Sequence, residues 1–233
     1  MVHRRDFFIA VVIMYLFSSM AWSEEWEKLG ESEGIIGYTL TDSESKHQAI
    51  KGVGMVDAPV AVIEAVLRDV PALTEFILNC KESAFVTGPE FENTTDSFHT
   101  YMVNAVPFPA KDRDAVYRTD YTIDPATGTV YADITGITTD YKRSRKMVRI
   151  PMIKVGYILT PRGPGQTEVI YTTVGDPGGA VPGFIADMFS KNLGIKTIEG
   201  LRKMIRKDKY RDCRTVIAQT PHESFPEEQL FPK

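Results

Sequence analysis

One stretch of the chain, residues 80–176, constrains the fold more than any other, because strand-like runs alternate there with turn residues. Each run is rich in β-branched and aromatic residues, and the gaps between runs contain Gly, Pro, Asp or Asn. The runs span residues 81–87, 97–106, 114–123, 129–137, 149–160 and 167–175. Strands joined by such short segments predict an antiparallel sheet that meanders.

The segment before this sheet predicts two more strands and two short helices. The strands span residues 35–41 and 47–57. A helix follows them, with Asp57 as its N-cap and Pro59 in its first turn, where a missing N–H costs little. A second short helix is predicted over residues 71–78.

After the sheet, one long amphipathic helix is predicted from Pro182 to Lys209. Its apolar residues recur on one broad face, with a spacing of about 3.6 residues. A helix of about 40 Å is long enough to cross one face of a curved antiparallel sheet. We therefore predict an α+β fold in which a curved antiparallel β-sheet wraps around a long C-terminal helix. The space between them is either filled by side chains or kept open for a ligand.

The composition fits one globular domain and excludes two function classes. Hydrophobic residues make up 43% and charged residues 25%, which is enough apolar surface to bury a core. The 27 Lys and Arg residues are outnumbered by 31 Asp and Glu residues, which argues against a nucleic-acid partner. No later apolar run approaches the roughly 20 residues that span a bilayer, so a polytopic membrane protein is excluded. We predict a domain over residues 24–211 and an extended or disordered tail over 212–233.

The first 23 residues have the pattern of a secretory signal peptide. Arg4 and Arg5 precede an apolar run from Phe7 to Phe17, and small residues follow at positions 19, 21 and 23. Cleavage there predicts export, either to the periplasm or out of the cell. It removes two arginines and one aspartate from a chain of net charge −4, which leaves −5. The alternative, an uncleaved anchor, is disfavoured because the apolar run is short for a spanning helix.

Export bears on the two cysteines, Cys80 and Cys213. In an oxidising compartment they can form a disulfide that closes a long loop. Two free, partly buried thiols are the equal alternative, because spacing in the sequence does not show whether they approach each other.

No motif in the chain predicts catalysis or a metal site. Residues 30–34 match the G-x-S-x-G pattern, but a nucleophile elbow needs a helix after it, whereas a predicted strand follows here. We interpret this segment as a flexible turn. The four histidines have no metal-ligand spacing, and no nucleotide-binding glycine motif is present. We expect no catalytic residue, no metal and no cofactor.

Three motifs occur together in an order that resembles one family. Residues 107–118 open a strand with an Arg-Asp pair, residues 159–171 form a hairpin, and residues 176–182 read Asp-Pro-Gly-Gly-x-x-Pro before the long helix. Over roughly residues 24–207 the chain resembles the START family, the StAR-related lipid-transfer domains of the helix-grip superfamily. The resemblance implies a helix-grip fold that encloses a lipid or another hydrophobic molecule between the sheet and the C-terminal helix.

Strand alternation predicts which side chains would line such a cavity. Along the strand that begins at Arg113, the set containing Val116, Arg118 and Asp120 should face water. The other set combines apolar bodies with hydroxyl tips, which suits a pocket with few polar groups. The predicted ligand-binding residues are Phe98, Thr100, Met102, Asn104, Ala115, Tyr117, Thr119, Tyr121, Val169, Tyr171, Thr173, Phe184, Ile185 and Met188. The alternative is that they pack a solid core.

One departure from the family pattern concerns a buried Glu–Arg pair that some sterol-binding members carry on these strands. Alignment on the Arg113-Asp114 pair places Thr100 and Thr119 at those two positions, so a buried ion pair and a sterol ligand are disfavoured. We expect Arg113 and Asp114 to form a salt bridge that caps the strand entry.

Three functions remain open at this point. The leading one is an exported protein that binds or transfers a hydrophobic small molecule, a lipid above all. The second is an enzyme resembling the polyketide cyclases and aromatases of the same superfamily, for which Tyr117, Tyr121 or Asn104 could supply polar groups. The third is a ligand-sensing module that contacts another protein through its tail.

A basic loop between two predicted strands bears on membrane contact. It carries Lys142, Arg143, Arg145, Lys146 and Arg149. This segment is either a solvated loop or a surface that makes transient contact with an anionic membrane, near which each basic residue contributes about 1 kcal/mol.

Overall fold

The computed structural model describes residues 26–41, 48–180, 183–211 and 213, and over residues 183–191 it describes the backbone alone. The predicted signal peptide lies outside these ranges. So does the predicted tail, apart from Cys213.

Within the described ranges, ten strands form one curved sheet. Its strands follow one another in the order β1-β2-β3-β10-β9-β7-β6-β5-β4, and these neighbours pair antiparallel. The bounds are β1 Glu27–Ser32, β2 Ile35–Thr41, β3 Gln48–Val56, β4 Cys80–Phe85, β5 Ser97–Asn104, β6 Arg113–Asp124, β7 Thr129–Ile137, β8 Val148–Arg149, β9 Met152–Pro161 and β10 Thr167–Asp176. The predicted fold class is confirmed.

Two features of the sheet differ from the prediction. The edge strand β1 was not predicted, because its sequence EKLGES lacks the β-branched residues that mark the other strands. The predicted run 149–160 is divided by Pro151, whose ring removes a ladder N–H. Its first piece, β8, pairs in parallel with the start of β6, so the sheet is not wholly antiparallel.

The helices lie against the concave side of the sheet. Helix α1 spans Val60–Arg68, a 3₁₀ helix spans Val70–Glu75, and the long helix α2 spans Gly183–Met204, followed by a 3₁₀ turn at Asp208–Tyr210. The N-cap of α1 is Pro59, which makes no side-chain capping bond, so the prediction of Asp57 as cap is wrong. Asp57 Oδ1 instead accepts a hydrogen bond from Gln166 Nε2 at 3.0 Å, which ties the helix entry to β10.

Helix α2 is anchored to one side of the sheet by a contact between two glycines. A Cβ atom added to Gly52 of β3 would lie 2.5 Å from the carbonyl oxygen of Gly194, so only glycine permits this approach. Farther along α2, the side chains of Ile198, Leu201 and Met204 are fully buried. The helix packs mainly on β2 and β3. Beyond β10, where α2 is not the main packing partner of the strands, an open space borders the sheet.

Candidate ligand cavity

A cavity of about 720 Å³ occupies this space. Its walls come from β3, β5, β6, β7, β9 and β10, from α1 and the first 3₁₀ helix, and from Leu193 of α2. Nine of the fourteen predicted binding residues line it, namely Phe98, Thr100, Met102, Asn104, Tyr117, Thr119, Tyr121, Tyr171 and Thr173.

Two predicted residues are buried but do not line the cavity. Ala115 lies opposite Met102 on the neighbouring strand, and the longer Met102 side chain reaches the cavity where the alanine methyl group does not. Val169 pairs with Gly54, where Ile198 of α2 packs directly on the sheet, so this part of β10 is solid core. The side chains of Phe184, Ile185 and Met188 lie outside the described residues.

Several lining residues were not predicted, because the predicted set came from three strands and the long helix only. Period-2 alternation on β9 could have found Ile153, Val155 and Tyr157, which share one face. The apolar residues of α1 and of the segment that follows it could not be assigned to a cavity from the sequence, since an apolar helix face is equally typical of a core. The residues of this region that line the cavity include Leu67, Val70, Leu73 and Ile77.

The cavity lining includes polar and charged side chains near the loops and tyrosine rings at the far end. Near the loops, Asn104 pairs with Arg113 across β5 and β6, and both line the cavity. At the far end, Tyr121 of β6 and Tyr157 of β9 lie on either side of Ala132 of β7. The eight-residue separation of Arg113 and Tyr121 corresponds to about 27 Å along the strand.

The tyrosines of the cavity are held in their neutral form. Burial raises the pKa of Tyr117, of Tyr121 and of Tyr157 well above the ordinary value. Burial also raises the pKa of Tyr171 to about 12, although the nearby Thr173 and Thr197 hydroxyl groups oppose that shift. At neutral pH these groups can donate hydrogen bonds but carry no charge.

Arg113 and Asp114 do not form the predicted salt bridge, because adjacent residues of a strand point to opposite faces. Arg113 faces inward, where its guanidinium donates to the carbonyl oxygens of Pro177 at 3.3 Å, Gly178 at 3.0 Å and Lys111 at 2.5 Å. It thereby fixes the Asp-Pro-Gly-Gly turn, whose glycines have φ values of 66° and 62°.

Asp114 faces the outer side of the sheet. Its Oδ2 atom accepts from Arg149 Nη2 at 2.8 Å and from the Tyr101 hydroxyl at 3.2 Å. Arg149 also donates to the carbonyl oxygens of Thr139 and Tyr141, so one buried ion pair holds the basic loop onto the sheet. Arg149 is therefore unavailable to a membrane.

The outer face of β5 and β6 is also covered, contrary to part of the prediction. Arg118 is exposed, as expected, and pairs with Asp120 at 2.9 Å. Val116 was expected to face water, yet it is fully buried in a second apolar cluster. That cluster contains Val86, Phe91, Tyr101, Val103 and Val116, with Ile137, Tyr141 and Met147 packed against it.

Thr100 and Thr119 are the two residues at which the family resemblance disfavoured a buried ion pair. Both are buried, with 3% and 4% of their surface exposed, and both line the cavity. Neither carries charge, so no ion pair forms between these positions.

The remaining chemical candidates have structural explanations. Ser32 lies in β1 and donates to Glu199 Oε1 at 2.9 Å, so residues 30–34 are the end of β1 and the turn into β2 and not a nucleophile elbow. His99 packs against Phe91 and Asn93, and the other histidines lie outside the described residues. Cys80 and Cys213 are free thiols, and burial raises the pKa of Cys80 to about 11.

Two negative findings apply to the part of the chain that the structure describes. None of its helices combines the length and the apolar character that a bilayer crossing requires. None of its His, Cys, Asp and Glu side chains cluster in a way that could hold a metal ion.

A sheet that grips one long helix around an internal cavity defines the helix-grip class of domains. Within that class the chain belongs to the START domain family, whose model matches residues 14–210. It is 30% identical, over 187 residues, to an uncharacterized protein of Pseudomonas aeruginosa, covering 80% of this chain and 90% of that one.

Solved structures agree with this assignment. A STAR-related lipid transfer protein fragment from Xanthomonas axonopodis is 26% identical, with a TM-score of 0.68, and the match covers 78% of this chain and 99% of the fragment. Human STARD10 matches with a TM-score of 0.69 at 18% identity, covering 90% of this chain and 82% of that one, which shows the shared fold.

Proposed function

We propose that this protein binds a lipid, or a similarly hydrophobic small molecule, in the cavity and carries it between membranes. The observation that supports the proposal is the cavity itself, whose 720 Å³ falls within the range of about 300–1,000 Å³ typical of ligand pockets. The lining is mainly aliphatic and aromatic, and the similar Xanthomonas protein is named a lipid transfer protein.

The physical benefit of such a cavity lies in the cost of moving a lipid through water. Each exposed CH₂ group costs about 0.8 kcal/mol, so a 16-carbon chain costs on the order of 13 kcal/mol. A carrier that replaces water by Leu67, Leu73, Ile134, Ile153 and similar side chains removes much of that barrier. No covalent step is needed.

A pair of neighbouring substitutions tests the cavity. Thr119→Trp places a large ring inside it, whereas Arg118→Trp places the same ring on the exposed outer face of β6. We expect native mass spectrometry to find co-purified lipid on the wild type and on Arg118→Trp but not on Thr119→Trp. Added lipid at a hundredfold excess over Kd should stabilise the first two by about 2.7 kcal/mol. Equal lipid binding by all three proteins would contradict the proposal.

We further propose that the protein is exported, on the evidence of the N-terminal sequence pattern alone. Intact-mass measurement of the protein recovered from its native host tests this directly. Loss of about the first 23 residues and recovery outside the cytoplasm are the expected results. A full-length chain in the cytoplasmic fraction contradicts them.

Membrane contact is proposed at the loop end of the cavity. Phe108, in the loop between β5 and β6, is 93% exposed, and Ala105 and Val106 of the same loop line the cavity. Lys111 Nζ donates to the carbonyl oxygen of Arg145 at 3.2 Å, so this loop touches the basic loop. An exposed aromatic ring beside basic residues suits insertion into the interface of an anionic bilayer.

The basic loop offers fewer free cations than its sequence suggests. Lys142 pairs with Glu82 at 2.8 Å, Arg143 pairs with Asp140 at 3.2 Å, and Arg149 is bound to Asp114. Arg145 and Lys146 are exposed and make no ion pair with a described residue. They are therefore the residues that we propose to face the membrane.

A charge-matched comparison tests this contact. The double change Arg145→Gln with Lys146→Gln should slow lipid transfer between anionic vesicles about thirtyfold at low salt, because each of the two charges contributes about 1 kcal/mol. The control, Lys28→Gln with Lys196→Gln, removes two exposed cations elsewhere and should leave the transfer rate unchanged. Equal slowing by both pairs would show a general charge effect and no specific docking surface.

A further inference from the structure

Three buried tyrosines in the cavity have hydroxyl groups that find no partner among the described residues. Tyr117, Tyr121 and Tyr157 are 4%, 2% and 3% exposed, and all three line the cavity. None of their hydroxyl groups makes a hydrogen bond to a described residue. Buried tyrosines elsewhere do find partners, since Tyr101 donates to Asp114 at 3.2 Å and Tyr210 donates to Asp69 at 2.9 Å.

The contrast matters because these three hydroxyl groups are open to the cavity and are not among the buried polar atoms that lack a partner. Once an apolar ligand covers such a group, leaving it without a hydrogen bond costs about 1–3 kcal/mol, and phenylalanine would fill the same volume without that cost. Buried tyrosines normally direct the hydroxyl group to a partner. Three unmatched donors on one cavity wall therefore point to polar atoms in the ligand.

Building on the carrier function proposed above, we propose that the ligand carries uncharged oxygen atoms into the cavity, as a hydroxyl, carbonyl or ester group. The hydroxyl groups of Tyr117, Tyr121 and Tyr157 donate hydrogen bonds to those atoms. The protein then selects oxygenated hydrophobic molecules over plain hydrocarbons of the same size.

The charges around the tyrosines exclude an anionic group at this end. Arg113 is the one cation among the described lining residues, and it lies at the loop end of the cavity. Arg68 lies 3.9 Å from the centre of the Tyr121 ring, but its charge is paired with Glu64 at 2.7 Å. A carboxylate beside Tyr121 would thus lose its hydration without meeting a free cation.

The test compares ligands of equal chain length on the delipidated full-length protein. The probes are dodecane, dodecan-1-ol, methyl dodecanoate and dodecanoate at neutral pH, measured by displacement of an uncharged fluorescent dye. We expect the alcohol and the ester to bind at least about tenfold more tightly than the alkane and the carboxylate, given the usual strength of such hydrogen bonds. Equal affinity for alcohol and alkane, or tightest binding of the carboxylate, overturns the inference.

Variants assign the preference to the three hydroxyl groups. Each of Tyr117→Phe, Tyr121→Phe and Tyr157→Phe should reduce the preference for the alcohol about threefold to tenfold and leave alkane affinity unchanged. Tyr101→Phe, on the outer face, should leave the preference intact. If the affinities for the alcohol and the alkane fall by the same factor in the variants, the hydroxyl groups do not form hydrogen bonds with the oxygen atom of the ligand.

The stability of the ligand-free variants separates ligand recognition from a structural role. Removing an unpartnered hydroxyl group should maintain or raise the melting temperature, whereas a structural tyrosine lowers it when changed to phenylalanine. A lowered melting temperature in all three variants overturns the inference. If no probe of any kind binds the wild type, the proposed carrier function fails as well, which distinguishes the two results.

Discussion

The two faces of strands β5 and β6 are both buried, yet only one of them is packed solid. On the outer face, Tyr101, Val103 and Val116 meet Phe91 and Tyr141 directly. On the inner face, the alternate residues of the same two strands border an open volume of about 720 Å³. The same two strands thus border a packed apolar cluster on one face and an open cavity on the other.

The difference arises from where each cover is anchored. The outer face is covered by loops that follow neighbouring strands. These loops are held close to the strands by local contacts, such as the ion pair between Arg149 and Asp114. The inner cover combines α1 and the first 3₁₀ helix with α2, which is fixed to β3 by the contact between Gly52 and Gly194. Because β10, β9 and β7 separate β3 from β6, this anchor lies at a distance from the β5–β6 wall, and the cavity borders that wall.

Breaking the anchor of the outer cover should have the largest effect on stability. Asp114→Asn leaves the Arg149 guanidinium buried without its counter-charge, which should lower the free energy of unfolding by about 3 kcal/mol. Asp120→Asn removes an exposed partner on the same strand and should cost less than about 1 kcal/mol. Denaturant unfolding measures both, and similar losses would show that the outer cover does not depend on this ion pair.

Deleting the same two methyl groups on each face sharpens the comparison. Val116→Ala opens a hole in a filled cluster and should cost about 2 kcal/mol. Val155→Ala borders the existing cavity and should cost about half as much, because one side of the valine already lacks packing partners. Differential scanning calorimetry of both variants without ligand provides the measurement. A larger loss at Val155 would indicate that the inner face is packed as well.

The smallest expected effect is a pH dependence of the folding stability that arises from His99 on the outer face. Burial lowers the pKa of His99, and the charge of Arg118 lowers it further. The folded protein thus binds this proton less readily than the unfolded chain, whose histidine pKa is about 6.5. The stabilisation from neutral His99 is fully present above that value and is lost as the pH falls through the lower folded-state pKa.

Unfolding by denaturant at pH 7.5 and at pH 5.5 tests the sign. The wild type should lose more stability between these two pH values than His99→Gln, which has no titratable group at position 99. An identical loss in both proteins would assign the acid sensitivity to other groups.

The sequence predicted most of the strands, the long helix and part of the inner wall, because period-2 alternation indicates which residues of a strand share a face. It failed for Val116 and for Val169, since alternation does not reveal what covers a face. Val116 is covered by loops, and Val169 lies where α2 contacts the sheet. The role of Arg113 was missed because its partners are backbone carbonyl oxygens of a distant turn, which carry no side-chain signal.

The Arg113-Asp114 dipeptide combines two separate tasks in neighbouring positions. One residue fixes the turn that leads into α2, and the other secures the basic loop on the reverse side of the sheet. The two side chains share no partner, so their energetic contributions should add independently despite their adjacency. The Arg-Asp motif therefore contains two residues with unrelated structural roles. A substitution of Arg113 should loosen the turn before α2, whereas a substitution of Asp114 should loosen the basic loop.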